Sequence, residues 1–259
     1  MAEALYYLSE ELAWAPTNAP RGELVLIRDA VESSGSFLVQ HFVALFLKAG
    51  HRVCFVNFAN AREHYAAIGR KLGVNFASME AKAALRVLDC FASSAPPLAS
   101  LLELFQAIAA FSSATKDAAT ESQEEEQQPV SVVIDDLSAL RWRFGVGQVL
   151  AFVRCLKTLS HASNGCVNVV VLSHADAETS SFVASPLTLM NPSLMEMATV
   201  VFTVAPLPSG YSKDVHGTFT VHRQSSGLAP FRAPVTLSYK LLENTVRCFR
   251  SGGDALRSI

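Results

Sequence analysis

The chain lacks any apolar run of the roughly 18 residues needed to cross a membrane. The stretch Phe37 to Leu47 is apolar, but Gln40 and His41 interrupt it and Lys48 ends it. Its N-terminus, Met1-Ala2-Glu3-Ala4-Leu5, carries an acid and lacks the basic start of a secretory signal. The expected location is therefore cytoplasmic, with the nucleus as a second compartment, and no membrane partner is expected. The five cysteines (Cys54, Cys90, Cys155, Cys166 and Cys248) form no C-x-x-C pair, which argues against zinc and thioredoxin-like chemistry. Cys54 and Cys90 lie beside apolar runs and read as structural thiols. The histidines, His41, His51, His64, His161, His174, His216 and His222, contain no H-x-x-x-H pair, and no G-x-S-x-G elbow occurs. Metal, cofactor-dependent and hydrolase classes thus have little support. Ser173-His174, after a strand, are polar residues at a sheet's carboxyl edge or ordinary loop residues.

What is present is a large core. With 259 residues and 50% hydrophobic content, the chain suits a globular domain rather than a disordered one. Its net charge of −2 is unevenly placed: Lys116 to Pro129 holds one base and five acids, so the remainder is weakly basic. That distribution permits nucleic-acid contact without requiring it. The sequence divides into an N-terminal extension over 1–22, a single domain over 23–250 and a tail over 251–259. An acidic, solvated insert interrupts the domain at 112–129. The extension has Leu5, Leu8 and Leu12 at helical spacing before the breakers Pro16, Pro20 and Gly22.

Periodicity predicts alternating strands and helices. Strands are expected over Glu23–Asp29 and Arg52–Phe58, where Val53-Cys54-Phe55-Val56 is continuous as in a strand covered on both faces. Leu85–Asp89 reads as a short strand, with helix as the alternative. Further strands are expected from Val130, over Val167–Ser173 and over Met197–Ala205. Helices are expected over Phe37–Lys48, Arg62–Leu72, Leu98–Phe111 and Gly147–Ser160. Ala175–Pro192 reads as a loop. Val215–Arg223 and Val235–Arg250 alternate like an antiparallel ribbon. The sum is an α/β fold with a mainly parallel sheet and an antiparallel finish.

Leu24 to Gly50 reads as strand, small polar turn and amphipathic helix, the setting of a phosphate-binding loop. Laying G-x-x-x-x-G-K-[ST] on it matches only Gly35; Ala30 replaces the first glycine, Ser36 the lysine and Phe37 the hydroxyl residue. Lysine would neutralise phosphate and the hydroxyl would hold Mg²⁺. Phe37 can do neither and is expected to pack on the sheet. An ordinary turn without any nucleotide is the competing reading. Val130-Ser131-Val132-Val133-Ile134-Asp135-Asp136 resembles the acidic strand end that holds the magnesium shell. Without a lysine partner, those acids are expected to cap the next turn or to bond across a subunit boundary. Arg141 and Arg143 flank Trp142 on what reads as a loop. The trio suits an RNA contact, cations to phosphate and indole to a base, or else a packed tryptophan between solvated arginines.

Several blocks carry a resemblance. They are Ser34 to Phe42, Leu47-Lys48-Ala49, Val53 to Val56, His64-Tyr65, Gly69 to Val74, Asp135-Asp136-Leu137-Ser138 and Lys213-Asp214-Val215-His216-Gly217. Together, in order across most of 23–250, they resemble the Elongator complex protein 6 family. The resemblance implies a RecA-like (P-loop NTPase-like) three-layer fold with degenerate nucleotide motifs. It implies an accessory, non-catalytic subunit, with no cofactor, that joins Elongator subunits four and five in a two-copy-each hexameric ring. It further implies that the ring binds tRNA and associates with the catalytic Elongator subassembly. That assembly places carboxymethyl-type groups on the wobble uridine. RecA-like rings line their central hole with loops that here correspond to Leu137–Val146 and His174–Pro192. Arg141 and Arg143 are therefore the candidate tRNA contacts. Two alternatives stand beside this reading. One is a divergent ATPase that would need a cation near Ser36, with Arg28 the candidate. The other is a purely structural ring component without RNA contact.

Overall fold

A computed structural model describes residues 12, 14–91, 98–113, 128–163, 166–175, 190–210, 212–224, 233–242 and 245–250. The expected leucine-spaced start of the extension, the centre of the acidic insert, most of the second pore loop and the tail lie outside these residues.

The described elements, in chain order, are β1 Leu24–Asp29, α1 Ser36–Lys48, β2 Arg52–Asn57, α2 Arg62–Lys71, α3 Phe76–Ala81, β3 Leu85–Asp89 and α4 Leu101–Ser113. They continue with β4 Val130–Ile134, α5 Leu137–Phe144, α6 Val146–Ala162, β5 Val167–His174, α7 Met190–Met197, β6 Val200–Ala205, β7 Gly217–Arg223, β8 Val235–Leu241 and β9 Val246–Arg250. The strands form one nine-stranded sheet in the order β3-β2-β4-β5-β1-β6-β7-β8-β9. Pairs from β3 through β6 are parallel, and β6 through β9 are antiparallel. This is the α/β three-layer architecture expected from the alternating pattern.

The two faces of β1 show how the layers arise. Val25 and Ile27 enter one buried cluster with Leu38, Phe42 and Phe46 of α1, Tyr65 of α2 and Phe76 of α3. Leu24 and Leu26 enter a second cluster with Ile108 of α4, Leu140 of α5, Val153 of α6 and Leu194 of α7. Alternate residues of a strand face opposite ways, so a strand buried on both faces needs no polar alternation. Of the extension, Leu12 and Trp14 are buried in the first cluster; Trp14 meets Phe42 edge-on at 6.0 Å.

Three local expectations change. Leu137–Phe144 is a helix rather than a loop, because Asp136 caps it and Gly145, with φ of +79°, ends it. Met190–Met197 is also helical, so β6 begins at Val200 instead of Met197. Pro192 falls in the first turn of that helix, where its missing N–H is tolerated. The C-terminal stretch from Val235 divides into two strands, with Leu241 facing Val246 across the hairpin. The short helix α3 has no periodic signal; the Asn75 side chain caps it by accepting from the Ser78 N–H at 3.2 Å.

Candidate functional site: the carboxyl edge of the parallel sheet

Strand order brings the ends of β4, β5 and β1 side by side. Asp29 ends β1 and is the register partner of His174, which ends β5; Asp135 and Asp136 follow β4. These are the strand ends where open α/β sheets bind ligands.

The loop at the end of β1 is closed on itself. Ala30 accepts from the Ser33 N–H at 3.0 Å, making a tight turn with Val31 at its tip, 89% exposed. The Ser33 hydroxyl lies 3.3 Å from the Tyr239 hydroxyl of β8. Gly35 sits so close to β1 that a methyl group there would be 2.8 Å from Ile27 Cγ2 and 3.3 Å from Asp29 Cβ. Its N–H, at the amino end of α1, donates to Asp29 Oδ2 at 2.8 Å. Ser36 donates its backbone N–H to Ser34 Oγ at 3.2 Å. Phe37 is buried, its ring 4.7 Å from Tyr239 and 6.3 Å from Phe219. It therefore packs on the antiparallel end of the sheet.

The two acids separate. Asp135, 5% exposed, accepts from the backbone N–H groups of Phe58 and Ala59 at 2.7 and 3.1 Å and from the Tyr65 hydroxyl. Burial raises its carboxyl to about 6, against the pull of those three donors. Burial, reinforced by the Asp135 charge, also pushes the Tyr65 phenol up. Asp135 thus ties β4 to the loop after β2 and to α2. Asp136 accepts from the N–H groups of Ser138 and Ala139 at 2.7 and 3.1 Å, capping α5.

His174 joins the two strand ends. Its Nδ1 meets Asp29 Oδ1 at 2.6 Å, and its Nε2 lies 3.7 Å from Asp136 Oδ2. Ser138 Oγ accepts from its backbone N–H at 3.0 Å, and Asn191 Nδ2 donates to its carbonyl at 3.1 Å. The nearby carboxylates of Asp136 and Asp29, the latter hydrogen-bonded to it, raise the imidazole to about 10, so it is a cation at neutral pH. With both ring nitrogens facing carboxylates, it has no lone pair to act as a general base.

These residues do not fit a nucleotide's phosphates and magnesium. The helix N–H that would face phosphate already donates to a carboxylate, which would repel an anion. Arg28 does not supply the missing charge. Ile27 and Asp29 face α1, so Arg28 points to the opposite helix layer, where its Nε is buried without a hydrogen-bond partner.

Arg141 and Arg143 ride on α5, after Asp136. Trp142 between them is 80% exposed, so it is not the packed tryptophan of the competing reading. Arg143 is exposed, its guanidinium 5.4 Å from the Phe144 ring, and Arg141 is half-buried and engaged within the fold. The loop residues Ala30, Gly35, Ser36 and Phe37 thus lie at β1, the acids at β4, and the arginines one helix further on. Sequence reasoning missed Asp29 as the acceptor at α1 and the bridging place of His174. A signal existed: the apolar runs of β1, β4 and β5 each end on an ionisable residue.

Fold and site together define a RecA-like domain whose loop and strand-end acids are held by bonds within the chain. A KaiC-like protein from the archaeon Pyrococcus horikoshii shares the fold at a TM-score of 0.57 and 12% identity, over 90% of this chain and 92% of that one. The family model described as Elongation complex protein 6 matches residues 6–98 and 90–242. Elongator complex protein 6 of Mus musculus is 31% identical over 264 residues, covering 95% of this chain and 96% of the relative. The Xenopus laevis protein of that name is 31% identical, covering 90% and 92%, and the Homo sapiens protein 28%, covering 95% and 96%. The chain belongs to the Elongator complex protein 6 family.

Proposed function

We propose that the chain is a non-catalytic subunit of Elongator. It helps form a hetero-hexameric ring with Elongator subunits four and five, and that ring binds tRNA. The ring supports modification of the wobble uridine by the catalytic subassembly, in the cytoplasm and also in the nucleus. Family membership supports the complex. The observation that carries the non-catalytic part is the Asp29 carboxylate on the Gly35 N–H at 2.8 Å. It places an acceptor of the chain's own where an ATP-binding loop presents donors. Arg141 and Arg143 are the proposed tRNA contacts, on a helix whose exposed face also carries Trp142. No cofactor is assigned.

Two measurements test this. Native mass spectrometry after co-expression with subunits four and five is expected to give a ring with two copies of each; a chain that stays monomeric and ignores both overturns the assembly. ATP titration of the full chain with magnesium is expected to show no saturable binding. Saturable binding abolished by Asp136→Ala would restore the divergent-ATPase reading.

A further inference from the structure

The ends of β1 and β5 and the start of α5 meet at one residue, His174. Its Nδ1 meets Asp29 Oδ1 at 2.6 Å, and its Nε2 lies within ion-pair distance of Asp136 Oδ2, at 3.7 Å. Its backbone is used as well. The N–H donates to Ser138 Oγ in the first turn of α5, and the carbonyl accepts from Asn191 Nδ2 of α7. One residue thus ties its own strand to β1, α5 and α7.

The β1 side of this junction is held firmly. The Asp29 side chain is 1% exposed, and a carboxylate so desolvated needs partners for its charge. It has the His174 ring and the Gly35 N–H, the latter at 2.8 Å. The Asp29 carbonyl accepts from the Ala175 N–H at 2.8 Å. The turn that follows is fastened to β8, where the buried hydroxyls of Ser33 and Tyr239 lie 3.3 Å apart. Gly217 leaves room for that pair: a Cβ there would sit 2.9 Å from the Tyr239 oxygen and 3.0 Å from the Ser33 oxygen.

The α5 side is held more lightly. Leu137 and Leu140 are buried and Phe144 is partly so, while Trp142 is 80% exposed. The first turn depends on the Asp136 cap and on buried Ser138, and His174 meets both. Trp142 and Arg143 lie about 10 Å further along the helix, so a tilt at the first turn moves them most. Asp29 and Asp136 are like charges that repel across this junction. The imidazolium between them converts that repulsion into attraction.

We infer that the Asp29–His174–Asp136 bridge is a latch that fixes the start of α5 to the β1 turn, and that His174 is the positioning residue for Trp142 and Arg143. The latch is a property of the fold, built from bonds within the chain. Its consequence for tRNA rests on the function proposed above.

Amide exchange in the full chain, read residue by residue by NMR, tests the latch without RNA. His174→Gln keeps a donor for Asp29 and removes the charge. Asp136→Asn keeps a capping side chain for α5 and also removes the charge. Each is expected to speed exchange at Ser138 and Ala139 about tenfold, with α6 unchanged. The double variant is expected to exchange no faster than either single one, because both remove the same interaction. Additive effects, or unchanged exchange at Ser138 and Ala139, overturn the latch. The assembled ring gives the second reading. There His174→Gln is expected to weaken tRNA binding about fivefold or more through the displaced indole. The ring's mass and the salt slope should stay the same, since no phosphate contact is removed. Unchanged affinity overturns the positioning role, and so does a shallower slope, which would make His174 itself a phosphate contact. A wild-type ring that binds no tRNA overturns the proposed function, and the exchange cycle still decides the latch.

Discussion

Gly35 has an ordinary negative φ of −87°, so its role is space rather than backbone freedom. A methyl group 2.8 Å from Ile27 Cγ2 must displace a stiff, branched side chain that is fully buried. Gly35→Ala is therefore expected to cost about 1–3 kcal/mol, in line with overpacking elsewhere, measured as a shifted urea midpoint with unchanged slope. Asp29 and His174 give a second prediction, in pH. The folded value of His174, about 10, lies above its ordinary value of 6.5. The folded state therefore binds its proton more tightly, and the stabilisation is fully present below about 6.5. It is lost as pH rises through about 10. The difference in melting temperature between the protein and His174→Gln should stay level to about pH 6.5 and shrink across that window. A constant gap to pH 10 would mean that the Asp29 and Asp136 contacts do not depend on the imidazolium charge. At this scale the sequence is only half legible. The Gly35 match and the misfit of Phe37 can be read from a motif, because motif positions are local. The Asp29–His174 bond spans 145 residues and depends on which strands become neighbours.

The helix α5 shows how one side chain decides an element. Its eight residues are LSALRWRF, with two arginines and an exposed indole; Leu137 and Leu140 are its buried apolar residues, and Phe144 packs partly buried against the same cluster. Short helices of this kind are marginal without a cap. Asp136 supplies one by accepting from two N–H groups, and Arg141 and Arg143 in the last turn suit the negative end of the helix. Asp136→Ala is expected to destabilise the protein by about 0.5–2 kcal/mol, seen in denaturant unfolding. It should also raise amide exchange at Ser138 and Ala139 above that in α6. Equal protection in the variant would show that packing of Leu137 and Leu140 suffices. The cap residue is visible in the sequence, but beside an apolar run it reads mainly as a strand end, which hides the helix it starts. The long elements are clearer. Strands β1, β2, β4 and β5 are buried on both faces and α1 and α4 have strong apolar stripes, so their patterns survive without tertiary context.

For the whole molecule, the nine-stranded sheet follows from this alternation, but the assignment to a surface does not. The proposed RNA contact rests on α5, where the two arginines differ in setting: Arg143 is exposed, while Arg141 is half-buried and already engaged. Their effects on tRNA binding by the assembled ring should therefore separate. Arg143→Ala removes an exposed cation, and the slope of log K against log salt should become shallower by roughly 0.7–0.9 for each phosphate no longer neutralised. Arg141→Ala should change that slope less. Trp142→Ala removes a stacking surface rather than a charge, so it should weaken binding by about 1–3 kcal/mol with the slope unchanged. Fluorescence anisotropy of labelled tRNA at several salt concentrations reads both quantities together. The two responses are independent, which makes the pattern discriminating. A common fall in affinity with no slope change in any variant points to damage in ring assembly, which mass measurement would detect. No change in affinity or slope across all three variants would make α5 an ordinary surface helix and favour the purely structural reading. A shallower slope with Arg143→Ala, and a slope-neutral loss with Trp142→Ala, would put phosphate and base on the same exposed turn.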